Sequence, residues 1–147
     1  MDEIEEFDKL KTKVLKYVLY KKRTEAEIRQ KFSENSGKML DNVVEYLREN
    51  NYINDEIYIE KTVNEYQRLK NMSIKEIEYK LLSKGVKKDT IDEYIYKNRE
   101  ELVEYELNSA KNIFIKKQNL MEAEKIINYL KKKGYLEETI KIAKQDI

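Results

Sequence analysis

Three segments of this chain share one pattern at a spacing of forty-nine residues: EIRQKFSENSG from Glu27 to Gly37, EIEYKLLSKGV from Glu76 to Val86, and KIINYLKKKGY from Lys125 to Tyr135. Self-similarity at a period of tens of residues marks an array of like structural units rather than one irregular domain. Ile28, Ile77 and Ile126 recur at that period, and Phe32, Leu81 and Leu130 each follow four residues later. A spacing of four places both side chains on one face of a helix, one turn apart. The second and third copies also share Lys84/Lys133, Gly85/Gly134, Thr90/Thr139 and Ile91/Ile140, and the first and second share Val14/Val63, Tyr17/Tyr66, Glu27/Glu76 and Lys31/Lys80. Single apolar matches are cheap in a chain that is 40% hydrophobic, but a run of them in one register is not.

The helix starts repeat with the stripe. Thr24-Glu-Ala-Glu27 and Ser73-Ile-Lys-Glu76 have the form of capping boxes, in which the hydroxyl accepts from an orphan amide and the glutamate reaches back to the cap. In the third copy Asn119-Leu-Met-Glu122 offers a start three residues earlier, which predicts a longer middle helix there. Each unit then reads as three helices. The first carries Leu10, Val14, Tyr17 and Val18, then Ile59, Val63 and Tyr66, then Leu107, Ala110 and Phe114. The middle one ends at Gly85 or Gly134, where a left-handed cap suits glycine. The third carries Val43, Val44 and Leu47, then Ile91 and Ile95, then Ile140 and Ala143, with one extra loop residue near Gly37 in the first copy. NYINDEIYI, from Asn51 to Ile59, is rich in β-formers, but Asn54 reads as an N-cap with Asp55 and Glu56 in the first turn. The expected fold is all-α, three tandem three-helix repeats over residues 1–51, 52–99 and 100–147.

Composition narrows the chemistry. The chain has no Cys and no His, which removes thiolate nucleophiles, imidazole bases, Ser-His triads and Cys/His zinc sites. Its three glycines cannot make a phosphate-cradling loop. No enzyme activity, metal or cofactor is expected. The formal net charge is +1, so no overall field draws the protein to DNA or to an anionic membrane, and electrostatic binding must be local. The acidic N-terminus has no signal-peptide pattern and the apolar runs are too short to span a bilayer, so a cytoplasmic protein without membrane contact is expected.

The clearest local charge feature is the run from Lys9 to Arg23, which holds Lys9, Lys11, Lys13, Lys16, Lys21, Lys22 and Arg23 without one acid. It reads either as the solvated face of an amphipathic helix or as a contact surface for an anionic partner. Asp2, Glu3, Glu5, Glu6 and Asp8 precede it directly, and this adjacency suggests an acidic tip folded back over the basic run in the free protein. Among the twelve tyrosines, Tyr17 and Tyr66 fall on the repeated stripe and read as half-buried packing residues. Tyr52 and Tyr58 flank the first junction and are expected to pack one unit on the next, which leaves Tyr20, Tyr79 and Tyr96 for the surface. Lys131, Lys132 and Lys133 sit where cations meet the negative end of a helix dipole, and that alone explains them.

Two segments carry a resemblance to a known family. RTEAEIRQKF, from Arg23 to Phe32, is similar to the R-S-x-x-E-L-x-x-K-L segment of the RecX family of recombination regulators, and YINDEIY, from Tyr52 to Tyr58, is similar to its G-Y-L-D-D-x-x-Y-A connection. EIEYKLLSKGV resembles the family's E-L-x-x-K-G-I pattern, and YLKKKGY resembles the segment before its last helix. The resemblance covers the chain from about Leu10 onward, and it implies an elongated, curved array of the three repeats.

It also implies a non-enzymatic partner of the RecA recombinase, and a monomer is expected. Bound to RecA or to its filament on single-stranded DNA, such a protein lowers ATP hydrolysis, strand exchange and coprotease activity. The candidate partner-binding cations are Lys13, Lys16, Lys21, Lys22, Arg23, Arg29, Arg68, Lys70 and Lys75. The segment from Leu69 to Glu76 lacks the Gly, the Pro and part of the positive charge that many family members carry there, so direct contact with single- or double-stranded DNA is expected to be weak. Two other readings stay open: a helical nucleic-acid-binding protein acting through its basic first helix, and a scaffold for another helical partner.

Overall fold

The structure is a computed structural model and describes residues 2–147. Among these residues the chain forms nine helices and no strand: α1 (Glu3–Tyr20), α2 (Glu25–Lys31), α3 (Gly37–Glu49), α4 (Asp55–Leu69), α5 (Ile74–Ser83), α6 (Lys88–Lys97), α7 (Arg99–Lys117), α8 (Ala123–Lys132) and α9 (Glu137–Gln145). The apolar stripes bury into three separate cores. Leu10, Val14, Ile28, Leu40, Val43, Val44, Leu47 and Ile53 fill the first. Tyr58, Ile59, Val63, Ile77, Leu81, Val86 and Ile91 lie in the second, and Ala110, Phe114, Ile126, Leu130, Tyr135 and Ile140 in the third. Ile28, Ile77 and Ile126 occupy equivalent positions and are each 0–1% exposed. The molecule exposes 10048 Å² of surface, whereas a compact 17.8 kDa monomer exposes about 8,000 Å². Three tandem three-helix repeats therefore form an extended array.

The two capping boxes are present as the spacing predicts, with Thr24 and Ser73 each accepting from the third amide of its helix while Glu27 and Glu76 return the bond. Asn54 caps α4. The third copy, however, keeps step: α8 starts after Glu122 and has the same ten-residue length as α5, so the longer helix expected from Asn119 does not form. The long α7 runs on to Lys117, and residues 118–121 are used to turn the chain. Gly37 lies inside the first turn of α3 rather than in a loop, because α2 stops at Lys31, short of where its counterparts end. The acidic tip does not fold back. Asp2 caps α1 and Glu3, Glu5 and Glu6 form its first turn, where the dipole favours acids, so the tip and the basic run as far as Lys16 lie on one continuous helix, with Lys21, Lys22 and Arg23 beyond its end.

Of the tyrosines at the first junction, Tyr58 is buried in the second core, but Tyr52 is half-exposed. Ile53 takes the place expected of Tyr52 and enters the first core. Just before them Asn51 adopts φ 61°, and the amide of Tyr52 closes on the carbonyl of Leu47. This is a Schellman ending of α3, with asparagine in the left-handed position.

Successive units are joined by one repeated device. The Thr24 hydroxyl donates to the carbonyl of Lys84 and the Ser73 hydroxyl to that of Lys133, both at 2.6 Å. The C-terminus of each following middle helix thus meets the N-terminus of the preceding one, α5 against α2 and α8 against α5, with opposite dipole ends together. Both docking ends are Schellman turns built on Gly85 (φ 87°) and Gly134 (φ 88°), and both bury the next residue, Val86 or Tyr135. Glycine is required twice over. A Cβ at 85 would lie 2.3 Å from the Ala26 Cβ, and one at 134 would lie 2.9 Å from the Lys75 Cβ. Ala26 and Lys75 are themselves equivalent positions. The hydroxyl cap occurs at the two helix starts that receive a following unit, while α8 opens on Glu122 without a side-chain cap bond.

A carboxylate clamps each junction beside this contact. Asp55 accepts from the Glu25 amide at 3.1 Å, and Arg48 pairs with Glu25. Burial raises the pKa of Asp55, opposed by the charges of Arg48 and Lys87. At the second junction Glu106 is fully buried, accepting from the amides of Ile74 (3.1 Å) and Leu136 (3.4 Å) and from the Thr139 hydroxyl (2.7 Å). The second junction is also bridged by α7, whose Leu102 belongs to the second core and whose Ala110 and Phe114 belong to the third. Tyr105 on the same helix donates to the Lys70 carbonyl (2.5 Å) and accepts from the Met72 amide (3.0 Å), which fixes the segment leading into α5.

Candidate partner-binding surface

The nine cations singled out by sequence fall into four situations. Arg23 and Arg29 are engaged within the first unit: the Arg23 guanidinium stacks 4.1 Å from the Tyr17 ring centre, and Arg29 pairs with Asp41 at 2.5 Å. Lys13, Lys16, Lys21 and Lys22 are exposed along α1 and just beyond it. Lys13 lines a groove between α1 and the start of α3 together with Glu3, Glu6, Lys9 and Lys38, so acids temper the field there. Arg68 and Lys70 are exposed at the end of α4, with the Lys70 ammonium 5.4 Å from the Tyr66 ring centre. Tyr17 and Tyr66 are half-buried packing residues, each partnered by a cation.

Lys75 lies elsewhere, in a cleft of about 630 Å³ where α5 meets the end of α8. The Ser73–Lys133 contact brings Lys132 and Lys133 to the same cleft, along with Met72, Tyr79 and Lys80. Reading by sequence left Lys131 to Lys133 as dipole partners and Tyr79 as one of several surface tyrosines. The signal that joins them is the docking of one capped helix on another, which links residues sixty positions apart. Lys13 and Lys75 thus line separate grooves, and the candidates do not converge on one patch.

The resolved pKa shifts away from the surface are upward and caused mainly by burial, at Asp55 and at Tyr58, Tyr66, Tyr94, Tyr105 and Tyr135. Tyr135 is raised furthest, and its buried hydroxyl has no hydrogen-bond partner among the described residues. Among those residues no group of three or more acids could hold a metal ion, and no helix is long and apolar enough to cross a membrane.

No protein-family model matches the sequence. The chain is similar to proteins named regulatory protein RecX from Clostridium beijerinckii (30% identity, 90% of this chain and 65% of the relative) and from Lactococcus lactis (29% identity, 92% and 54%). It therefore spans about two thirds of the length of the Clostridium relative and about half that of the Lactococcus one. A crystal structure of RecX from Lactobacillus salivarius superposes with a TM-score of 0.82 at 21% identity, covering 97% of both chains. A second, of a regulatory protein RecX, gives 0.80 at 22%, covering 95% of this chain and 73% of that one. Over most of its length this chain is thus similar in sequence to proteins named regulatory protein RecX, and it shares the helical array of two solved RecX structures.

Proposed function

We propose that this protein regulates the RecA recombinase by binding it, or its filament on single-stranded DNA, and lowering its ATPase, strand-exchange and coprotease activities. The observation that carries the reading is the kinship with proteins named regulatory protein RecX, extending over 90% of the chain. The geometry supports a binding role. Three units with separate cores, latched end to end, present side chains over a long surface, and modest contacts from linked units add through effective concentration. The protein works without chemistry of its own, as a monomer in the cytoplasm, with residues 1–51, 52–99 and 100–147 as its three contact modules. Lys13, Lys16, Lys21, Lys22, Arg68, Lys70 and Lys75 supply the cations, while Arg23 and Arg29 hold the first unit together.

The test is steady-state ATP hydrolysis by RecA on single-stranded DNA, titrated with this protein. Hydrolysis is expected to fall as the protein approaches the RecA concentration. Unchanged hydrolysis at every ratio, with RecA from the same source, contradicts the proposal.

A further inference from the structure

The two junctions of this array serve as controls for each other. They share the hydroxyl latch, the Schellman turn and the clamping acid, so this shared latch forms at the first junction without the side chains found only at the second. At the second junction the cleft is lined by Lys75, Tyr79, Lys80, Lys132 and Lys133 over a floor that includes Met72 and Gly134. The equivalent positions of the first junction are Ala26, Gln30, Lys31, Ser83 and Lys84. Arg23, the counterpart of Met72, is stacked on Tyr17. Two lysines and an aromatic ring have thus been added at the second junction alone.

The added groups are free to act. Tyr79 is 77% exposed. Among the described residues none of Lys75, Lys80, Lys132 and Lys133 enters an ion pair. The one acid lining the cleft, Glu76, is committed to the Ser73 amide in the capping box. Four lysines and an exposed tyrosine ring line one cleft, the Lys133 ammonium lying 5.6 Å from the Tyr129 ring centre, and together they match a ligand with anions on either side of a flat π-face. Lysine is depleted at protein–protein interfaces, but it serves well as a mobile point charge for phosphate. Aromatic side chains set between cations hold unpaired bases without regard to sequence.

We propose that the cleft between α5 and α8 is a binding site for single-stranded nucleic acid, with Tyr79 stacking a base and Lys75, Lys80, Lys132 and Lys133 meeting the flanking phosphates. The site is independent of the RecA reading, and it moves direct nucleic-acid contact away from the basic first helix.

The experiment uses the whole protein without RecA and a fluorescein-labelled oligo(dT) of about 15 nucleotides, read by anisotropy at low salt. The decisive variant carries Lys75→Ala, Tyr79→Gln and Lys132→Ser together, which gives the second junction the residues the first already tolerates. A melting curve matching that of the parent shows the fold is kept. The parent should bind, with a log–log salt slope of about −2 to −3 for three or four phosphate contacts. The triple variant should lose roughly tenfold or more in affinity and flatten that slope. A second variant, Lys13→Ala, Lys16→Ala, Lys21→Ala and Lys22→Ala, should stay within about twofold of the parent, since those cations lie outside the cleft. No binding by the parent at low salt, parental binding by the triple variant, or a loss confined to the α1 variant would each overturn the proposal.

Discussion

At the scale of single residues, the array depends on two glycines for reasons only partly visible in sequence. The repeat placed Gly85 and Gly134 at helix ends, where the left-handed conformation explains them, and both φ values agree. That each glycine also admits the start of the neighbouring unit could not be read, because helical periodicity relates residues within one unit and says nothing of pairs sixty apart. Gly85→Ala should therefore cost more than its backbone strain. Left-handed φ accounts for about 1–2 kcal/mol, and the approach to Ala26 adds overpacking, for a total of roughly 2–4 kcal/mol in urea unfolding. Gly37→Ala is the matched control. It lies in α3 with nothing within 4 Å of the added carbon, and it should be neutral or stabilising by up to about 1 kcal/mol. Equal losses at both positions would remove the close approach from the account.

At the scale of elements, the helices and their stripes were legible because caps and apolar spacing are local. Two expectations failed where a neighbouring element decides. The third middle helix starts in step at Glu122, not at Asn119, since α7 continues to Lys117 and the intervening residues must turn. The acidic tip is the first turn of α1, since Asp2 satisfies its amides and the dipole rewards acids there. Glu106 was not singled out at all. In sequence it is one acid among several in an acidic stretch, and only the fold shows it buried between α5 and the start of α9. Glu106→Gln keeps the volume but replaces an acceptor with a donor facing either the Ile74 or the Leu136 amide. It should cost about 1–3 kcal/mol in chemical denaturation, and stability equal to the parent would show that the clamp contributes nothing.

At the scale of the whole molecule, the repeat predicted three units and the structure shows three cores, with an exposed surface above that of a compact chain of this mass. The two joints differ in kind. The first is a short connection through Asn51 with polar contacts beside it, whereas the second is spanned by α7, which contributes to the cores on both sides. The candidate surface was legible only as a list of cations. Lys75 was on that list, but its association with Lys132, Lys133 and Tyr79 depends on how one unit docks on the next. An extended, multi-site body suits a polymeric target, because several weak contacts act together on a repeating lattice. The most direct test is co-sedimentation with RecA filaments assembled on single-stranded DNA. The protein should pellet saturably with the filaments and remain in solution without RecA at the same salt. Recovery of all of it in the supernatant, at every filament concentration, would contradict the assignment of RecA as its target.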